Sequence, residues 1–230
     1  MFDLQRAISE ADNICFLTGA GVSTASGIPD YRSKGGLYAD SEKPEYALSD
    51  DNLARHHENF HQWVLANMFH PKAKPNVIHE KMATISNAKG TIVTQNVDGL
   101  DRAAGAKHVI EFHGNLYRLY CQKCHQTFTY DQYQQSDIHA ADGGVIRPDI
   151  VLYGEPINQQ VAAAAVDAVS SADLLIVVGT SLVVYPFAGL LRYAPMGATL
   201  VAVNKEALEL PPRAHMVQGD AVSIFEPLHL

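Results

Sequence analysis

The 230-residue chain carries a formal net charge of −8, is 47% hydrophobic and 18% charged, and has three cysteines. That length supports one large core, or a main domain with a small satellite, while an odd cysteine count argues against a secreted disulfide scaffold. An acidic balance without a Lys/Arg-rich block argues against direct nucleic-acid binding, and no window approaches the roughly 18 uninterrupted apolar residues of a membrane helix.

The opening stretch MFDLQRAISEADN lacks the apolar core of a signal peptide, so a cytoplasmic protein is expected. It reads as an amphipathic helix with Phe2, Leu4, Ile8 and Ala11 on one face. Ile14–Thr18 is a short strand-like run leading into TGAGVSTASGIPDYR. There Gly19 and Gly21 permit tight turning, and Ser23 is placed to cap a following helix. A pyrophosphate at such a helix start would meet free amide N–H groups and the positive end of the dipole. Thr24 stands where the dehydrogenase pattern has its third glycine, so that pattern is incomplete.

Residues 33–75 form a long polar segment in which Phe60 and Trp63 are the packing anchors of a short helical part. A second strand, Thr91–Thr94, delivers Gln95, Asn96 and Asp98 to its carboxyl end, where open α/β sheets bind ligands. His113 follows between Phe112 and Gly114; an imidazole there can serve as a base near neutral pH, or simply as one structural histidine among eleven. Residues 115–145 are rich in tyrosine and glutamine, contain a Cys-x-x-Cys and show little helical period, as expected of a small inserted module.

An alanine-rich helix then begins near Asn158, suited to an N-cap. Leu174–Gly179 is almost continuously apolar, as a parallel strand covered on both faces would be. PFAGLLRYA opens with a proline that fits a first helical turn, and Thr199–Val203 supplies a further strand. Strands alternating with helices indicate an α/β fold with a doubly wound parallel sheet.

The segments GAGVSTASGIPDYR, TQNVDGLD, EFHGN, RPDIVLYGE, GTSLVVYP and VAVN occur in this order from about Ile14 to the GDA at 219–221. Together they closely resemble the sirtuin family, NAD-dependent protein lysine deacylases, in its bacterial form. The resemblance implies a Rossmann-like NAD-binding domain from residues 1–32, 76–114 and 146–230. It also implies a small domain made of the cofactor-loop continuation and helical insertion at 33–75 and a zinc-ribbon-like module at 115–145.

By the same resemblance Gly19, Ala20, Gly21, Ser23 and Thr24 would meet the NAD phosphates, and Arg32 the phosphate or ribose side of the cofactor loop. Ile28, Asp30 and Tyr31 would close over the nicotinamide half. Gln95, Asn96, Val97 and Asp98 would line the nicotinamide and ribose pocket, with Asp98 accepting from the carboxamide. The acyl-lysine carbonyl oxygen would attack C1′ of the ribose as nicotinamide leaves. Asn96 and His113 are the expected catalytic residues, His113 as the general base on a ribose hydroxyl. Gly179, Thr180 and Ser181 would bind the second phosphate and ribose, Asn204 and Lys205 the adenosine ribose, and Ala221 would lie beside adenine. The peptide would run as an added strand between Val151, Leu152, Tyr153, Gly154 and Glu155 on one side and Val183, Val184 and Tyr185 on the other. Products would be the deacylated lysine, O-acyl-ADP-ribose and nicotinamide.

The pattern departs from the family in several places. Tyr31 and Tyr153 replace common phenylalanines, and Asp101 stands where a histidine is usual. The family's second Cys-x-x-Cys is replaced by HAAD, so Cys121, Cys124, His139 and Asp142 become the expected ligands of a structural zinc, with His125 a second candidate. The alternative is a module without metal, held by Phe128, Tyr130 and Tyr133. The Tyr-x-x-Arg of succinyl- and malonyl-preferring members is absent from ENFHQWVLANMF. Neutral acyl groups are therefore expected, acetyl first, with Trp63, Val64 and Met68 shaping the pocket. Protein mono-ADP-ribosyl transfer and a non-catalytic NAD-sensing module are the rival functions; the intact Asn96–Asp98–His113 set favours deacylation.

Overall fold

The computed structural model describes residues 2–30 and 44–229, so the expectations for Tyr31 and Arg32 fall outside the described residues. The strands are β1 (Ile14–Thr18), β2 (Gly90–Thr94), β3 (Val109–Glu111), β4 (Gly114–Cys121), β5 (Thr127–Phe128), β6 (Ile146–Ile150), β7 (Leu174–Val178), β8 (Thr199–Asn204) and β9 (His215–Gln218). The α-helices are α1 (Leu4–Glu10), α2 (Pro44–Ala47), α3 (Asp50–Arg55), α4 (His57–Asn67), α5 (Val77–Lys89), α6 (Leu100–Ala103), α7 (Tyr130–Gln135), α8 (Gln159–Ser170) and α9 (Ala221–Phe225).

Six strands form one sheet in the order β3-β2-β1-β7-β8-β9, parallel throughout. β1 lies between β2 and β7, with Ile14 paired to both Gly90 and Leu174. Every residue of ICFLT and LLIVV is buried, as strands covered on both faces require. One face packs against α1, α5 and α9 through Leu4, Ile8, Ile78, Met82 and Phe225. The other packs against α8 and a 3₁₀ helix over Phe187–Tyr193, through Ala165, Val169, Phe187 and Leu190. Burying a side chain such as Phe16 stabilises the fold by about 1.5–3 kcal/mol before any cavity cost.

Helix starts follow local chemistry. Asp3 caps α1 by accepting from Arg6 N, and Asn158 caps α8 by accepting from the N–H groups of Gln160 and Val161. Asn76 and His79 form a reciprocal capping box on α5, which satisfies two otherwise free N–H groups. Leu4 and Ile8 are buried with Phe2 and Ala11 packed beside them, so the expected apolar face of α1 is the one that docks.

Two local expectations are corrected. The glycine loop after β1 does not start a capped helix; it makes two three-residue 3₁₀ turns, Ala20–Val22 and Thr24–Ser26. Ser23 makes no side-chain cap because its buried hydroxyl is donated to Asp98 instead. PFAGLLRYA becomes a 3₁₀ helix, with Pro186 as its N-cap rather than inside its first turn.

A second sheet, β5-β4-β6, is antiparallel. With α3, α4 and α7 it encloses a separate apolar cluster that includes Leu53, Phe60, Val64, Leu116, Tyr133 and Ile146. Among the described residues no helix is long and apolar enough to cross a membrane.

Candidate active site

The chain runs outward from β1 to β3, returns to β7 and then runs outward to β9, so strand order reverses between β1 and β7. Loops leaving such a switch point diverge and open a crevice at the carboxyl ends of the strands. Here the two loops also touch. Gly21 N donates to Gly179 O at 2.8 Å, and Gly179 holds a left-handed φ of 59°. A Cβ on Gly21 would fall 2.8 Å from Gly179 Cα, a contact no side chain can accept. Glycine is required there because two backbones share the space.

Above this floor lies a cleft of about 1370 Å³. Ala20, Gly21, Thr24 and Asp30 come to it from the β1 loop, and Gln95, Asn96 and Val97 from the β2 loop. Gly179, Thr180 and Ser181 enter from β7, Asn204 and Lys205 from β8, and Ala221 from the start of α9. Gly19, Ser23, Ile28 and Asp98 do not line it. Walls that the sequence reading missed include Ile78 and the stretch from Glu206 to Glu209. Neither belongs to a recognisable motif, and only the return of the chain to this edge brings them in.

His113, immediately after β3, lines the cleft, and its Nδ1 lies 3.1 Å from Gln95 O. A carbonyl can only accept, so the neutral ring carries its proton on Nδ1 and keeps a lone pair on Nε2. Burial pushes the imidazole pKa below its ordinary value, and the bond to Gln95 opposes this only in part. The ring rests edge-on against Phe112 and tilted against Phe187.

Beneath the cleft wall a hydrogen-bonded chain fixes the β2 loop. Gln95 Nε2 donates to Thr180 Oγ1 at 2.7 Å, and Asn96 Nδ2 donates to Gly19 O at 3.0 Å. Ser23 Oγ donates to Asp98 Oδ2 at 2.6 Å, while Asp98 Oδ1 accepts from Leu100 N. Asp98, expected to meet the carboxamide, therefore has both oxygens engaged inside the protein. His79, absent from the sequence reading, completes the chain. Its Nδ1 accepts from Asn76 N, which leaves the proton on Nε2, 3.4 Å from Ser23 Oγ. Burial pushes its pKa down to about 4. The only sequence signal was the Asn76-x-x-His79 capping spacing.

Two segments form the open side. Val151–Glu155 and Leu182–Tyr185 both line the cleft, and Val183 and Tyr185 are exposed at 56% and 65%. Glu155 is committed to structure: it is paired with buried Arg147 and accepts from Leu152 N at 2.9 Å. Leu48, Met68, Val97, Ile150 and Leu152 give the cleft an apolar stretch. Of the three residues expected to shape an acyl pocket, only Met68 is there. Val64 is fully buried and Trp63 packs against the cluster of the small sheet, because α4 turns both inward.

Away from the cleft, Cys121, Cys124, His139 and Asp142 offer four ligand atoms within 4.8 Å of one another. Cys121 Sγ is 3.6 Å from Asp142 Oδ1, Cys124 Sγ is 3.4 Å from His139 Nδ1, and His139 Nδ1 is 3.1 Å from Asp142 Oδ1. Zinc–ligand bonds of about 2.0–2.3 Å in a tetrahedron give edges of roughly 3.5 Å, so the donor set and its spacing fit that ion. His125 lies outside the group and stacks on Tyr120. A Cβ on Gly144 would fall 2.4 Å from Cys121 Sγ, so the glycine keeps the thiol in place.

The fold and cleft define a doubly wound α/β protein with its ligand site at the switch point and a small antiparallel module whose Cys121, Cys124, His139 and Asp142 fit a zinc ion. The Sir2 family profile matches residues 19–186. The chain is 52% identical to the NAD-dependent protein deacetylase of Listeria monocytogenes, over 99% of this chain and 100% of that protein. It is 47% identical to the enzyme of the same name from Lactiplantibacillus plantarum, over 96% and 95%. Among solved structures, a mutant Sir2 homologue in complex with ADP ribose superposes with a TM-score of 0.89 at 31% identity, covering 99% of this chain and 95% of that one. A Sir2–p53 peptide–NAD⁺ complex superposes at 0.84 with 34% identity, covering 96% and 93%. The chain belongs to the Sir2 family, the sirtuins.

Proposed function

We propose that this sirtuin removes acetyl groups from lysine side chains of proteins, using NAD as co-substrate and releasing nicotinamide and O-acyl-ADP-ribose. The observation that carries the reading is His113: a neutral imidazole in the wall of a switch-point cleft, its Nδ1 held by the Gln95 carbonyl and its Nε2 free to take a proton. Bound NAD supplies a glycosidic carbon that can exchange nicotinamide for the acyl oxygen.

The chain does the rest by position. Ala20, Gly21, Gly179, Thr180 and Ser181 form the floor at the β1/β7 reversal where a diphosphate fits. Asn204 donates its amide to Glu206 O, which leaves Oδ1 to accept from a ribose hydroxyl. Asn96, held by Gly19 O, presents to the cleft beside His113. His113 then accepts a proton from a sugar hydroxyl, the step that needs a base active near neutral pH. An extended peptide lies between Val151–Glu155 and Leu182–Tyr185, recognised mainly through its backbone.

Among the described residues, the apolar lining from Leu48, Met68, Val97, Ile150 and Leu152 offers no guanidinium to an acidic acyl group, so acetyl and other neutral acyl groups are preferred over succinyl. Zinc would be held by Cys121, Cys124, His139 and Asp142 in a structural role, since four protein ligands leave no open position. The cell's cytoplasm, rich in acylated proteins and NAD, is the fitting location.

Incubation with NAD and an acetyl-lysine peptide should release nicotinamide and deacetylated peptide in equal amounts. His113→Ala should lower peptide deacetylation about 10²-fold or more. A His113→Ala enzyme with wild-type turnover would remove the basis of the assignment.

A further inference from the structure

We propose that Glu111 is a positioning residue for His113: its carboxylate accepts from the Asn115 side-chain amide, a clamp across the base of the Glu111–Asn115 turn that holds the imidazole at the turn's tip against Gln95 O in the cleft wall. The kinetic half of this inference rests on the deacetylase reading; the clamp's hold on the imidazole does not.

His113 sits at a crossing. β3 ends at Glu111 in the large parallel sheet and β4 begins at Gly114 in the small antiparallel one, so Phe112 and His113 alone bridge the two. Phe112 N donates to Thr94 O at 2.8 Å, and His113 O accepts from Val151 N at 2.9 Å. Gly114 takes a left-handed φ of 87°, and a Cβ there would fall 2.1 Å from Asp149 O. Each backbone bond ties one limb of the turn to its own side of the crossing. Limb is tied to limb by side chains.

Asn115 is buried and donates Nδ2 to Glu111 Oε1 at 2.6 Å. Its Oδ1 accepts from Tyr117 N at 2.9 Å. A backbone N–H can only donate, so the amide cannot turn round and Nδ2 must face the carboxylate. The Glu111 side chain is 6% exposed; its Oε2 accepts from Arg118 Nη1 at 2.5 Å and lies 3.4 Å from Arg102 Nε. Two guanidiniums thus fix the carboxylate on one side while Asn115 closes it onto β4. Neither arginine relies on Glu111 alone, since Arg118 also reaches Asp149 and Arg102 also reaches Val109 O. One hydrogen bond therefore closes a turn with His113 at its centre. Opening it lets the imidazole swing on its two-residue bridge and leave Gln95 O. A reacting group displaced by about 1 Å can lose about 10²-fold in rate.

Two measurements on the full chain test this, each made well below the Tm of the variant concerned. The first needs no NAD. In protein labelled with ¹⁵N in histidine, the His113 Nδ1–H held by Gln95 O should give a resonance protected from solvent, assigned by its absence from His113→Ala. Glu111→Ala and Asn115→Ala should each lower that protection about tenfold or more. The second uses acetyl-lysine peptide, NAD and labelled nicotinamide. Displacement of nicotinamide precedes the proton transfer to His113, so return of label into NAD should stay within about threefold of wild type in both variants. Their kcat for deacetylation should fall about tenfold or more, with KM for NAD within about twofold. A purely structural loss would lower label return and deacetylation together.

Arg118→Ala is the control. It removes one ion pair from Glu111 and leaves the Asn115 bond, so wild-type protection and the wild-type ratio of label return to deacetylation are expected. Asn115→Ala carries the test if Glu111→Ala does not fold. The double variant should lose no more kcat than either single one, because both break the same bond. Wild-type protection in Glu111→Ala or Asn115→Ala would overturn the proposal. So would parallel loss of label return and deacetylation, additive losses in the double variant, or an Arg118→Ala enzyme that behaves like Glu111→Ala. A wild-type chain that deacetylates nothing would sink the functional reading, and the protection of the His113 proton would still decide the clamp.

Discussion

His113, half-buried in the cleft wall, and His79, fully buried, are both imidazoles held neutral, with opposite tautomers and different consequences. For His113 the depressed pKa keeps Nε2 unprotonated below the ordinary 6.5, so the acid limb of kcat/KM should lie under that value. A pH–rate profile checks this directly. His79 bears on stability. With a folded pKa near 4 against 6.5, the unfolded chain binds the extra proton between those values. The stability this imidazole contributes is present above pH 6.5 and is lost as pH falls towards 4, by about 3 kcal/mol. Denaturant midpoints should drop over that window in wild type and drop less in His79→Gln. Of these two residues only His113 was legible in the sequence, because its neighbours form a motif. His79 sits mid-pattern on an ordinary helix start, and its role exists only because α5 docks against a loop that lies 56 residues upstream at Ser23.

Among the elements, the antiparallel ribbon of β4, β5 and β6 shows how far spacing can be trusted. Resemblance to the family's paired Cys-x-x-Cys pattern, with HAAD in place of the second pair, set Cys121 and Cys124 beside His139 and Asp142, and the four meet in one cluster. Metal analysis of the purified protein should find one zinc per chain, and a strong chelator should lower Tm, since bound metal adds its binding free energy to folding. Gly144→Ala should abolish the stoichiometric zinc, because the added methyl falls on Cys121 Sγ. α4 was harder to read. Trp63, Val64 and Met68 look equivalent along the sequence, but Trp63 and Val64 lie inside α4 and pack into the small-sheet cluster, and only Met68, the C-cap that ends the helix, reaches the cleft. Competing peptides should still be turned over faster with acetyl-lysine than with succinyl-lysine; the reverse order would mean that a cation reaches this lining.

For the molecule as a whole, the parallel sheet was legible because β1 and β7 are uninterrupted apolar runs with no polar face to orient. The loop after β1 was not, since its two short turns are dictated by contact with Gly179 and Asp98 rather than by local preference. Stability should concentrate in the central strands. Phe16→Ala, at a fully buried position on β1, should cost about 3–5 kcal/mol in chemical denaturation. Gly21→Ala should cost about 1–3 kcal/mol through overpacking against Gly179, with the lost activity exceeding what that unfolding explains.

The two flanks of the cleft grow out of different interiors. Leu48, Ile150 and Leu152 root one flank in the small-sheet cluster, whereas Leu190 and Ala202 anchor the strand and helix behind the other. Each flank thus stands on an interior of its own. A molecule long enough to lie across both would act as a splint, adding contacts that join the two interiors.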